Sequence, residues 1–135
     1  KIKAERIKRI LCDQSDKIQL SNFLSKNKLE NNLDVVIDDG KHDDVCVLNS
    51  FNKLFKNLKS SSFYFIEDIT EDLAPSSFKI FNNISKNVID EIVKKNIDQE
   101  ILNLIDFVEI FESQREIKKN GINHSQVYMF TIRKK

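Results

Sequence analysis

The sequence predicts an α/β fold on a mostly parallel sheet that closes in an antiparallel pair. Three observations predict it. The apolar run Leu33-Asp34-Val35-Val36-Ile37 ends in Asp38-Asp39-Gly40-Lys41-His42, and a second run, Ser62-Phe63-Tyr64-Phe65-Ile66, ends in Glu67-Asp68. Between them Val47, Leu48, Phe51, Leu54, Phe55 and Leu58 recur at three and four residues, the stripe of an amphipathic helix. Two later runs, Phe107–Phe111 and Gln126–Ile132, flank a long polar stretch containing Asn120-Gly121. Strand, helix and strand with short loops make a βαβ unit, with a right-handed crossover and parallel strands. The last two runs are expected as the antiparallel pair at the end of the sheet.

The remaining elements follow in order. Ile7–Cys12 reads as a short strand, and Asp13-Gln14-Ser15-Asp16 as a turn whose Ser15 or Asp16 caps a helix. Leu20, Phe23 and Leu24 place that helix from Lys17 to about Asn27, and Lys28–Asn32 is a polar loop. Leu33–Ile37 lacks alternation, as expected of a strand buried on both faces. Gly40 is expected in a left-handed conformation that lets the chain turn sharply. The helical stripe covers about Asp43–Leu58, Lys59-Ser60-Ser61 is a return loop, and Ser62–Glu67 is the next strand. Ile69–Ser77, with Pro75, reads as irregular. Phe81, Ile84, Val88 and Ile92 mark a helix with a break near Asn96, continued by Ile101, Leu104 and Ile105.

The totals bound what this frame does. With 135 residues the chain holds at most one domain. Its 22 basic and 21 acidic residues leave no net field for nucleic acid or membrane. No basic stretch is interleaved with aromatics, and no apolar run approaches the roughly 18 residues of a membrane span. Nucleic acid and membrane are therefore not expected as partners. Cys12 and Cys46 have no metal or disulfide spacing and read as small buried residues of a reducing cytoplasm. Lys118-Lys119, His124 and Arg133-Lys134-Lys135 read as solvated surface. The chain has only two glycines and one proline. Either its turns are built from Asn, Ser and Asp, or a glycine-rich part lies outside it.

The chemistry concentrates where the two strands end. Parallel neighbours lie about 4.8 Å apart, so Asp39 at one strand end converges with Glu67 and Asp68 at the other. Three carboxylates there repel one another unless a cation sits among them, and oxygen ligands suit Mg²⁺, Ca²⁺ or Mn²⁺. His42, at the start of the following helix, is placed to take a proton from a substrate hydroxyl. A plainer reading stands beside this one, because acids also end strands to cap helices and turns. For Asp38 the plainer reading is preferred: its side chain points away from Asp39 and supports the turn.

These motifs resemble those of the class I S-adenosylmethionine-dependent methyltransferases, and more narrowly the metal-dependent sugar O-methyltransferases of the macrocin and mycinamicin type. The family pattern I-D-D-G-S-H, a helix and then G-G-L-Y-V-I-E-D is similar to Ile37–His42 followed by Ser61–Asp68. An upstream G-D-Q-S-D is similar to Cys12-Asp13-Gln14-Ser15-Asp16. The resemblance covers Ile7–Asp68 well and the C-terminal strands loosely. It implies a three-layer Rossmann-like sheet, S-adenosylmethionine and Mg²⁺ as cofactors, and a sugar or glycoside as the small-molecule acceptor. It implies Asp39, Glu67 and Asp68 as Mg²⁺ ligands, His42 as the base, and Asp13 and Gln14 near the adenine of the donor. It leaves a homo-oligomer open.

The departures from the pattern matter. Lys41 replaces a serine, Cys12 a glycine, and Ser61-Ser62 a Gly-Gly pair. The glycine-rich turn after the family's first strand and the acid after its second have no counterpart. In the family's sheet order, 3-2-1-4-5-7-6, Ile7–Cys12 stands at the third strand. Residues 1–135 are therefore expected to be a single partial domain, the C-terminal part of a methyltransferase. Alone it is expected to bind the donor poorly and to be inactive, with Ile7–Cys12 displaced, exposed or paired elsewhere. The alternatives are a non-catalytic or degenerate methyltransferase-like module, and a metal-dependent hydrolase using the same carboxylates.

Overall fold

The computed structural model describes residues 7–113, 117–119, 122–124 and 126–135, with backbone alone for 117–119 and 122–124. Six strands and five α-helices follow in order: α1 (Lys17–Lys26), β1 (Leu33–Asp38), α2 (Asp44–Leu54), β2 (Leu58–Ile69), α3 (Pro75–Ser85), α4 (Glu91–Asn96), α5 (Gln99–Leu104), β3 (Ile105–Ser113), β4 (Ile117–Lys119), β5 (Ile122–His124) and β6 (Val127–Lys134). A single 3₁₀ turn, Phe55–Asn57, joins α2 to β2. The main sheet runs β1-β2-β6-β3, and β4 and β5 pair separately.

The βαβ unit forms as the pattern predicts. β1 and β2 are parallel, with Val36 level with Tyr64 and Asp38 level with Ile66. β6 is antiparallel to both β2 and β3 and lies between them. Three strands therefore share one direction, although only one adjacent pair is parallel. The expected antiparallel pair is present, with β3 at the sheet's edge.

Strand alternation divides the sheet into two unlike faces. Tyr64, Ile66, Val108, Phe130 and Ile132 face the helices and join Phe51, Phe55 and Phe81 in the core. Phe51 meets Tyr64 and Phe81 edge-on, with centroids 5.2 and 4.9 Å apart, the geometry aromatic quadrupoles favour. The other face presents Val35, Phe63, Arg133 and Phe107 in one row, and Ile37, Phe65, Thr131 and Glu109 in the next. Val35 and Ile37 are 50% and 60% exposed there. Among the described residues the helices cover one face only, so the structure has two layers where three were expected. The sequence pattern of β1, apolar toward both faces, is met by packing on one of them.

Several boundaries moved, each for a physical reason. Ile7–Cys12 is not a strand: Ile7 and Leu11 are exposed and the segment has no neighbour to complete a ladder. Lys59-Ser60-Ser61 is not a loop but a bulge inside β2. The pairing jumps from Leu33–Leu58 to Val35–Phe63, and Ser61 takes up the extra length at φ 62°. The stretch before Phe81 is helical from Pro75, which suits the first position of α3. That helix ends at Ser85, and beyond its cap Asn87, at φ 59°, turns the chain back so that the Val88 N–H reaches the Asn83 carbonyl at 2.8 Å. Val88 is consequently exposed and continues no helix.

Three surface expectations also changed or stand open. Lys134 is buried, because alternation turns it toward the helices. Its Nζ donates to the carbonyls of Lys56 and Leu58, each at 2.7 Å. Cys46 is buried and Cys12 half-buried, and both are free thiols. The side chains of Lys118, Lys119 and His124, and the turn at Asn120-Gly121, lie outside the described residues.

Candidate active site

The carboxyl end of β1 is built around a buried carboxylate. Asp38 is 7% exposed and sits on the helix-facing side, two residues beyond Val36. Its Oδ2 accepts from the Tyr64 hydroxyl at 3.0 Å, and its Oδ1 accepts from the Gln14 amide. Burial raises the Asp38 carboxyl above its usual range, and the donors from Tyr64 and Gln14 oppose that rise. The Tyr64 phenol is buried beside the same carboxylate, and both burial and that charge raise it well above its ordinary value. Asp38 thus supports the turn, as the plainer reading held.

Gln14 completes the arrangement from outside the sheet. Its amide nitrogen donates to Asp38, and its Oε1 accepts from the Lys41 N–H at 3.0 Å. The turn that carries Gln14 is itself fixed. Asp13 Oδ1 accepts from the Ser15 N–H and hydroxyl at 2.9 and 2.7 Å, which lowers the Asp13 carboxyl below its usual range. Asp16 caps α1 by accepting from Ile18 and Gln19, and Asn49 of α2 donates to the Ser15 carbonyl. Gly40 does not adopt the expected left-handed conformation. It is glycine for space: a Cβ there would collide with the Gln14 Oε1.

The expected catalytic residues fall into two groups. Asp39 leaves β1 on the side opposite Asp38, and its carboxylate stands 3.6 Å from the His42 imidazole. His42 is mostly buried, and its Nε2 has no hydrogen-bond partner. Lys41, which stands where a metal would meet a cation, is instead paired with Asp43 at 2.6 Å. That pair and the Cys46 N–H lower the Asp43 carboxyl to about 2.

Glu67 and Asp68 form the second group. The β1–β2 register ends at Asp38–Ile66, and Asp39 and Glu67 are the residues that follow on the two strands. Between Ile66 and Ile69 the β2–β6 register shifts, and Asp68 sits in that irregularity at φ 50°. Glu67 and Asp68 line a shallow groove of about 170 Å³ with Phe111, Tyr128 and Met129. Among the described residues no three His, Cys, Asp or Glu side chains come together as a metal site. The structure therefore brings Asp39 to His42 and Glu67 to Asp68, but does not gather Asp39, Glu67 and Asp68 around one point. As placed, the three do not form a three-carboxylate Mg²⁺ site. A groove of about 540 Å³ runs along α2 past Lys17, Asn49, Asn52 and Lys95, and holds none of the expected site residues.

Sequence reasoning missed Tyr64 and Asp44. Tyr64 was legible in principle: it is the polar-tipped member of β2 on the face shared with Asp38. Asp44, in the first turn of α2, reaches across to accept from the Ser76 and Ser77 N–H groups at 3.2 and 2.7 Å. It caps α3, whose own N-cap residue Ala74 has no side chain to do so. No local signal reveals a cap supplied by another helix.

The described residues form an α/β fold with a four-stranded mixed sheet ordered β1-β2-β6-β3 and acids at the carboxyl end of its parallel pair. The solved structure of the MycE methyltransferase from the mycinamycin biosynthetic pathway, in complex with Mg and SAH, is similar to it with a TM-score of 0.64. The likeness covers 98% of this chain and 34% of that one, at 18% sequence identity. This chain thus spans about a third of the length of that neighbour. No protein-family model matches the sequence, and no curated protein matches it.

Proposed function

We propose that the chain is the acceptor-side part of an S-adenosylmethionine-dependent O-methyltransferase acting on a sugar or glycoside hydroxyl. One observation carries the reading. On a fold similar to a methyltransferase, the parallel pair β1–β2 ends in Asp39 and His42 on one strand and Glu67 and Asp68 on the next. Bound S-adenosylmethionine would supply an electrophilic methyl group. His42 would take the proton from the acceptor hydroxyl as that oxygen forms its bond to the methyl carbon. Asp39 would then face the resulting imidazolium. Much of the rate enhancement in such an in-line displacement comes from holding the acceptor in place, a task for residues on the rigid end of the sheet.

The donor-binding part belongs, in this proposal, to polypeptide that covers the second face of the sheet and pairs with the free edge of β1. Val35 and Ile37 are the residues it would bury. No step is routed through a metal, because Asp39, Glu67 and Asp68 are not gathered here. The Gln14 amide donates to Asp38 and accepts from the Lys41 N–H, which leaves one N–H and one lone pair for a contact with the donor's adenine.

The lack of a three-residue metal cluster among the described residues favours a second reading, a methyltransferase-like module without catalysis. Calorimetric titration of the full-length protein with S-adenosylmethionine, with and without Mg²⁺, separates the two. Donor binding, with turnover abolished by His42→Ala at unchanged donor affinity, is the expected result. Absence of donor binding would overturn the methyltransferase proposal. Donor binding with no turnover on any glycoside would favour the module.

A further inference from the structure

We infer that Gln14 is a positioning residue: it grips the turn Asp38–Lys41 from both sides and so sets where Asp39 and His42 stand. The inference rests on the proposed role of that turn. Its geometry is independent of that role. A glutamine side chain carries one donor and one acceptor on a single rigid amide. Here the donor meets the carboxylate of Asp38, at the last residue of β1, and the acceptor meets the N–H of Lys41. Asp39 and Gly40 lie between those two points, and His42 follows directly. One planar group thus fixes the span of the turn.

The neighbouring residues are those such a grip requires. Asp38 is buried and held from its other oxygen by Tyr64, so the grip pulls against a rigid anchor. Gly40 leaves open the space that the amide occupies. Gln14 itself is carried on a turn tied to α1 by the Asp16 cap and to α2 by Asn49. No other common side chain serves. Glutamate would set a second carboxylate against Asp38, asparagine is one methylene short, and methionine has neither hydrogen bond. The upstream Asp13-Gln14-Ser15-Asp16 motif and the Asp38–His42 motif are therefore one physical unit.

The test uses Gln14→Ala, Gly40→Ala and the double variant. The atoms nearest a Cβ on residue 40 are those of the Gln14 amide, so Gly40→Ala should evict the amide and mimic its removal. Each single variant should speed hydrogen exchange of the Lys41 amide by about tenfold, the loss of one hydrogen bond. Each should also shift the His42 side-chain NMR resonances toward those of free histidine, with amides in the middle of α2 unchanged. The double variant should be no worse than either single one. Equal acceleration throughout the chain would assign Gln14 to general stability, and additive effects of the two substitutions would break the proposed contact; either result overturns the inference. In the full-length enzyme, Gln14→Ala should lower kcat and leave the affinity for S-adenosylmethionine unchanged. Weaker donor binding at unchanged kcat would make Gln14 a donor contact instead. If the wild-type protein binds no donor, the methyltransferase reading fails while the exchange and NMR results still decide the grip.

Discussion

Tyr64→Phe removes one oxygen from the core and leaves the shape of the side chain intact. The ring is fully buried between Phe51 and Phe55, so its packing survives. What is lost is the hydroxyl that donates to Asp38 at 3.0 Å. Asp38 is itself buried, so no bulk water replaces the missing donor. A hydrogen bond to a charged group contributes about 1.5–3 kcal/mol, and an abandoned buried acceptor lies toward the upper end. For a chain of this length that corresponds to a fall in Tm of roughly 5–15 °C. Urea denaturation followed by circular dichroism at neutral pH measures it. Asp38→Asn, alone and combined with Tyr64→Phe, supplies the control. The amide nitrogen that Asp38→Asn introduces would face either the Tyr64 hydroxyl or the Gln14 amide nitrogen, so the two substitutions should couple by about 1 kcal/mol or more. A loss below about 0.5 kcal/mol for Tyr64→Phe, or strict additivity with Asp38→Asn, would refute the buried anchor.

Two further outcomes follow from the same end of the molecule. Asp44→Ala should cost about 1–2 kcal/mol in denaturant unfolding, because α3 has no other side-chain cap. Hydrogen exchange should then quicken at Ser76 and Ser77 and not within α2. Asp43 has a folded-state pKa of about 2 against an ordinary 3.8, so its stabilising contribution is complete above about pH 4 and is lost as the pH falls toward 2. Its partner Lys41 is largely exposed, which limits the contribution to about 1 kcal/mol. The stability difference between wild type and Asp43→Ala should therefore close on acidification; a difference that persists at pH 2 would contradict it.

What the sequence discloses about this fold depends on how local each cause is. The stripe from Val47 to Leu58 and the paired acidic strand ends are complete within a few residues, and the βαβ unit appeared where they put it. Asp16 capped α1 because its partners are two and three residues away. Causes spread over distant segments were hidden. The bulge at Ser61 exists because β2 has three more residues than β1 across one stretch of pairing. Lys134 reads as a surface cation until alternation sends it under the sheet to two carbonyls more than 70 residues away. At the site, Asp39 and His42 were legible because they share one turn. The grip of Gln14 spans 24 residues, and the glycine it requires looks in sequence like an ordinary turn glycine.

The edge strand ties the fold to the site. An aliphatic strand end such as Val35-Val36-Ile37 is stable against water only when both faces are covered, and a bare strand edge invites pairing. Here Val36 is covered by the helices, and Val35 and Ile37 stand half or more exposed at the edge of the sheet. Asp39 and His42 begin one and four residues beyond Asp38, at the end of this same strand. Whatever covers the second face must therefore border the candidate catalytic residues. Under the proposed function, burial of Val35 and Ile37 and completion of the donor site are one event. A protein that binds the donor while both side chains stay open to solvent would separate them, and would place the donor somewhere other than the edge of β1.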